Sequence, residues 1–232
     1  LTDLDRSRVM DVVRDRTTES AKTLWNTLPE AQRNTIVSVS MDMWEAFMNA
    51  AASEVPNAEI VHDKFHTVAY LTKAVDDVRR KENSTLMKAG NDLLKGTKYL
   101  WLKNPKYFGK DEKELFRSFA LDQLKVGKAW TIKEAFQAFW NYAYQGSALS
   151  FFSRWFFWAT HSRLKPIIEA AKTLKRHLTG LLAYLKHRVT NAVTEGINSI
   201  IQSIKANARG FRNFENYRIA ILFHCGKLSL YP

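Results

Sequence analysis

Hydrophobic and polar positions change their period along this chain, and the changes divide it. Residues 2–13 read as an extended entry, a polar turn near 5–7, then Val9, Met10, Val12 and Val13, which predicts a hairpin. Ala21, Leu24, Trp25 and Leu28 are spaced for one helical face over 17–28, with Thr18 placed to cap it and Pro29 to end it. One more turn is expected at 30–33. Two short runs rich in β-branched residues follow, 36–41 and 59–62, and each runs into an aspartate, Asp42 and Asp63. Between them Trp44, Phe47, Met48 and Ala51 recur at i, i+3, i+4 and i+7, the helical spacing, to about residue 53, before a Pro56-Asn57 turn. A further helix is predicted over 65–82, with Val68, Leu71, Val75 and Val78 inward.

From 84 to 189 the strand-like runs disappear and amphipathic helices succeed one another, punctuated by Asn104-Pro105, Gly109 and Gly146. Ile132, Ala135, Phe136, Phe139 and Trp140 form one apolar stripe. A longer one runs from Leu164 through Ile167, Ala171, Leu174, Leu178 and Leu181 to Leu185, entered through Pro166. Over 190–207 the pattern predicts a helix burying Val193, Ile197, Ile200, Ile201 and Ile204, with Glu195, Asn198, Ser199 and Gln202 on the opposite side. Residues 213–225 read as a last helix stopped by Gly226, although 219–223 fits a strand equally. The whole is an α/β pattern with an all-α segment of about 100 residues set into it. In open α/β sheets the carboxyl edge of the strands is where ligands and metals sit.

Composition sharpens this. At 232 residues, 46% hydrophobic and 25% charged, the chain has ample material for a core. The single cysteine, Cys225, excludes an intramolecular disulfide and a cysteine zinc cage. Apolar runs stay well short of a bilayer span and no signal peptide is visible, so no membrane partner is expected. The net charge of +12 is uneven: residues 1–82 carry 11 Lys/Arg against 14 Asp/Glu, and residues 83–232 carry 24 against 9. That asymmetry fits a polyanion partner, or a solubilising basic surface. The chain opens on Leu1 inside what reads as a β element, so a preceding segment is expected.

For chemistry the carboxylates come first. Acids converging from strand ends and a helix repel one another, and Mg²⁺ or Mn²⁺ relieves that repulsion through oxygen ligands. Asp42 and Glu195 are the candidates; for Asp42 the alternative is a cap on a helix beginning at Met43. Asp63 and His66 form an Asp-x-x-His pair, open to metal ligation or to capping plus a satisfied core histidine. Lys205, Arg209 and Arg212 follow Glu195, and Arg209-Gly210-Phe211-Arg212 suits contact with a nucleic-acid backbone or a solvated helix end. Arg79 and Arg80 carry the same two readings. The aromatic run at 151–158 fits a helical core or a protein-protein face. Serine elbows, phosphate loops and dinucleotide fingerprints are absent, which excludes the commonest nucleotide-dependent classes.

Taken together, several motifs resemble one family. They are Val39-Ser40-Met41-Asp42-Met43-Trp44, then Pro56-Asn57-Ala58-Glu59-Ile60-Val61-His62-Asp63-Lys64-Phe65-His66, then Val75-Asp76-Asp77-Val78-Arg79-Arg80. Thr190-Asn191, Glu195-Gly196, Asn198 and Ala208-Arg209-Gly210-Phe211 complete the set. In this order they resemble the bacterial insertion-sequence transposases of the ISL-three family. The resemblance implies an RNase H-like mixed sheet with a large all-α insertion before the last catalytic helix: a core at 1–83, the insertion at 84–189, and the final core helices at 190–232. It implies an Asp-Asp-Glu metal triad with Mg²⁺ or Mn²⁺, in which Asp42 matches the second acid and Glu195 the third. Asp63 is the alternative second acid, and Asp63 with His66 otherwise supports the site. Arg79, Arg80, Asn191, Asn198, Lys205, Arg209 and Arg212 become DNA contacts. The implied activity is metal-dependent cleavage and strand transfer on DNA, at element ends and target, by a homodimer in the bacterial cytoplasm, at the nucleoid when bound. The family's first aspartate lies on an opening strand that this sequence does not contain. The expectation is a catalytic fragment with weak or no activity alone. The competing readings are a non-enzymatic basic DNA-binding module and a helical interaction protein.

Overall fold

The computed structural model describes residues 1–189 and 192–228. A short antiparallel hairpin opens the chain, β1 (Thr2–Asp3) and β2 (Arg8–Val9), with Thr2 opposite Val9. Helix α1 (Thr18–Asn26) buries Ala21 and Trp25. Its cap is Thr17 rather than the expected Thr18: the Thr17 hydroxyl accepts the Ser20 N–H at 3.2 Å, which places the cap one residue earlier. After the single turn α2 (Glu30–Arg33) come β3 (Ser38–Met41), α3 (Glu45–Glu54) and β4 (Glu59–His62). Strands β3 and β4 pair in parallel, Ser38 with Glu59 through Met41 with His62, so α3 is the crossover of a βαβ unit. Ala50, Ala51 and Val55 on α3 pack with Ala21 and Trp25 of α1, and Ile36, Val39, Met41 and Ile60 close over them.

Thereafter the chain is helical. Helix α4 (Lys64–Lys88) runs past the predicted end at 82 and across the expected division at 83/84. It is followed by α5 (Lys98–Leu102), α6 (Lys110–Ser118), α7 (Lys125–Phe136), α8 (Gln145–Thr160), α9 (Lys165–Arg176), α10 (Leu178–His187), α11 (Ala192–Asn207) and α12 (Phe214–Cys225). The long stripe from Leu164 to Leu185 is split between α9 and α10 at His177. Residues 219–223 lie within α12, which Asn213 caps through its side chain, so the strand alternative is not taken. Strands among the described residues are confined to two two-stranded sheets.

The chain divides into two compact units. One comprises Leu1–Asp63 with the described residues from His187 onward; the other is Lys64–Lys186. In the first unit a second core joins Val9 to Ile197, Ile221 and Cys225, so the hairpin packs on α11 and α12. Ile200, expected inside, is 48% exposed, because the buried edge of α11 is narrower than the isoleucine run. The helical unit is built on aromatics. Phe136 and Phe139 stack at 5.2 Å between centroids, Trp155 lies 4.6 Å from Phe136, and its indole N–H donates to the Ile132 carbonyl at 2.9 Å. The run at 151–158 thus contributes core through Phe152 and Trp155, while Phe157 is exposed. Among the described residues no helix is long and apolar enough to cross a membrane.

Candidate active site

The parallel pairing of β3 with β4 ends on Met41 opposite His62. The next residue on each strand is an acid, so Asp42 and Asp63 leave neighbouring strand ends side by side. Their surroundings differ. Asp63 is 5% exposed. The Asp42 side chain is partly open, and its Oδ2 accepts a hydrogen bond from Arg16 Nη2 at 3.2 Å. Asp42 does not cap α3: the helix begins at Glu45, and Trp44 occupies the cap position without a side-chain bond. The carboxylate is therefore not used up by a helix end.

Arg16 was not among the residues the sequence singled out. Its guanidinium stands 5.0 Å from the Trp44 ring centroid and 5.7 Å from that of Phe47, while Trp44 Nε1 donates to the Arg16 carbonyl at 3.2 Å. Two aromatic faces and one carboxylate thus fix the arginine beside Asp42. No periodic signal links positions 16 and 42, and only the fold brings them together. Two further histidines are structural. His62 is buried, and its Nδ1 lies 3.2 Å from the Met41 carbonyl; a carbonyl only accepts, so that nitrogen carries the proton. His187 Nε2 meets Glu59 Oε2 at 3.0 Å, tying the chain's return into the first unit to the start of β4.

Glu195 lies in the first turn of α11, in the same compact unit as Asp42, on an exposed face with Asn198, Ser199 and Gln202. His66 lies in the first turn of α4, in the helical unit, edge-on to Phe65 at 5.8 Å. The donor set fits a hard cation in kind, being carboxylate oxygen. In number it is short: no three His, Cys, Asp or Glu side chains among the described residues stand together as a metal-holding group.

A family model described as a transposase, that of the ISL3 (ISL-three) type, matches residues 1–221. The chain belongs to the ISL3 transposase family. A relative from Bordetella parapertussis, the transposase for insertion sequence element IS1001, is 28% identical over 214 residues, covering 89% of this chain and 52% of the relative. The transposase for insertion sequence element IS1557 of Mycobacterium tuberculosis is 24% identical over 201 residues, covering 77% of this chain and 45% of its own. The chain therefore spans about half the length of the curated relatives it matches. No solved structure matches it.

The basic residues of this ISL3 chain fall into two sets. Arg79 is committed to Asp76, with Nε and Nη2 at 2.8 and 2.7 Å from Oδ1, and is largely covered; Arg80 beside it is exposed. Lys205, Arg209 and Arg212 are exposed around the end of α11, as is Asn198 along it, while Asn191 lies outside the described residues. Arg209 holds φ +51 and Gly210 φ +97, and the Gly210 N–H donates to the Lys205 carbonyl at 3.1 Å, closing the helix. An arginine in the left-handed region costs about 1 kcal/mol relative to glycine, a strain of the kind found at functional positions.

Proposed function

We propose that this chain contributes the catalytic part of a DNA transposase of RNase H-like organisation. In this reading 1–83 and 190–232 form the acid-bearing core and 84–189 is a helical insertion. The reaction is cleavage of a phosphodiester at the end of an insertion sequence by water, which frees a 3′-hydroxyl, followed by attack of that hydroxyl on a phosphodiester of target DNA with loss of the target strand's own 3′-hydroxyl as leaving group. Asp42 and Glu195 hold Mg²⁺ or Mn²⁺, which supplies charge stabilisation for in-line displacement at phosphorus. Asp63, beside Asp42 at the strand ends, and His66 set the local geometry, with Asp63 the alternative ligand. Asn198, Lys205, Arg209, Arg212 and Arg80, with Arg79 and Asn191, contact DNA phosphates and orient the strand. The partners are element ends and target, engaged as a homodimer in the cytoplasm.

The observation that carries this reading is the β3–β4 register, which leaves two acids at adjacent strand ends and none of the helix-capping duty for Asp42. Membership of the ISL3 family over 1–221 supports it, as does the presence of Glu195 in the same unit. Calorimetric titration with Mn²⁺ tests it. Asp42→Asn and Glu195→Gln should each weaken binding by about tenfold or more, as expected for loss of a ligand. A Glu195→Gln variant that binds Mn²⁺ like the wild type would overturn the shared-cation site.

A further inference from the structure

The positive charge of this molecule is not shared between its units. Lys64–Lys186 carries 23 Lys/Arg against 10 Asp/Glu, and the rest of the chain carries 12 against 13. The imbalance is steepest over α8, α9 and α10, where six Lys/Arg face a single acid, Glu169. Helix α9 organises it. Ile167, Ala170, Ala171 and Leu174 are buried on one side. On the other, Lys165, Glu169, Lys172 and Arg176 recur at i, i+4, i+7 and i+11, all exposed, with Lys175 exposed beside them.

Between α8 and α9 lies an open cleft of about 660 Å³ lined by Phe156, Glu169, Lys172, Lys175 and Arg176. Lys175 Nζ stands 4.7 Å from the Phe156 ring centroid, which holds the ammonium over the cleft floor. Glu169 lies 3.6 Å from Lys172 Nζ and is the only acid in the cleft lining.

We infer that this cleft and the outer face of α9 grip the phosphate backbone of duplex DNA, as a surface separate from Lys205, Arg209 and Arg212 on the other unit. The inference rests on the DNA reading above and names a second place where it acts. Three features select the partner. The cations lie in a row along a helix about 18 Å long rather than converging on a point, which suits a repeating charge and not a small anion. They are exposed, so binding would draw on counterion release, a gain that only a polyelectrolyte offers. The row has no large apolar residue at its centre to anchor a protein partner, Phe156 being half-buried on the floor.

The test is binding of this chain to a duplex of about 30 base pairs across a salt series, followed by fluorescence anisotropy. Replacing Lys172, Lys175 and Arg176 together with Gln should flatten the slope of log K against log salt by about 2 to 3, since each phosphate contact adds about 0.9. Glu169→Gln should tighten binding by about threefold, from the repulsion it removes at about 7 Å in water. Circular dichroism checks that both variants fold, and the Glu169 variant stays informative if the triple one does not. An unchanged slope in the triple variant, or unchanged affinity in Glu169→Gln, overturns the inference. A slope that falls only when Lys205, Arg209 and Arg212 are replaced also overturns it and leaves the general DNA reading standing. No binding by the wild type overturns both.

Discussion

At the scale of single residues, the decisive contact is that of Arg16 with Asp42. A cation site at Asp42 has a resident competitor, a guanidinium held by its own aromatic neighbours. Exposed pairs of this kind contribute about 0.2–1 kcal/mol. Arg16→Gln should therefore tighten Mn²⁺ binding by about 1.4- to fivefold in a calorimetric titration, and an unchanged affinity would show that the pair does not compete. Arg209 gives a second prediction, because its two roles pull in opposite directions. Arg209→Gly relieves the left-handed backbone strain and should raise stability by about 1 kcal/mol in a urea melt. It removes a cation at the same time, so DNA affinity should fall. A variant that is both more stable and equally tight would remove Arg209 from the DNA contacts. Of the sites named from sequence, Asp42, Asp63 and Glu195 could be marked by their places after strands or on a polar helix face. Arg16 and His187 could not, since their partners lie far along the chain.

At the scale of elements, periodicity located the helices well and their ends less well. Thr17, not Thr18, caps α1, and α4 continues to Lys88, because cap geometry and packing set the boundary more strictly than apolar spacing does. Glu82 gains a role only in three dimensions. The Glu82 carboxylate accepts the backbone N–H groups of Lys125 and Val126 at 2.8 and 2.7 Å, so a side chain of α4 caps the start of α7. Close packing explains Gly127 in the same helix. A Cβ there would run into the Leu121 carbonyl, so Gly127→Ala must shift backbone rather than a flexible side chain. Although alanine is the better helix former, the substitution should destabilise the chain by about 1–3 kcal/mol in a thermal melt. A neutral or stabilising result would mean that the preceding turn yields freely.

At the scale of the whole molecule, the two ends of the first unit are joined by an ion pair. Arg218 Nε on α12 meets Asp11 Oδ1 at 2.7 Å, across more than two hundred residues of sequence, and Asp11 is 8% exposed. Burial by itself raises the Asp11 carboxyl. The Arg218 hydrogen bond, the Val12 N–H and the Arg218 charge together outweigh burial and bring it below the ordinary carboxylate range. A depressed carboxyl stabilises the fold above its unfolded value of about 3.9 and loses that contribution as pH falls through the lower folded value. Asp11→Asn should cost about 1–2 kcal/mol at neutral pH and flatten the acid limb of the stability profile. Urea melts across a pH series would show it, and an unaltered acid limb would remove Asp11 from the account. Local chemistry was sufficient to specify the helical stripes, the two β-branched runs with their acids and the excess of cations, because these depend on neighbours within a turn or a strand. Which acid meets which cation, which isoleucine of α11 faces outward, and that all of the surplus positive charge belongs to one compact unit depended on long-range packing. A chain that returns to its first unit after the excursion from Lys64 to Lys186 makes contacts that no sequence spacing encodes.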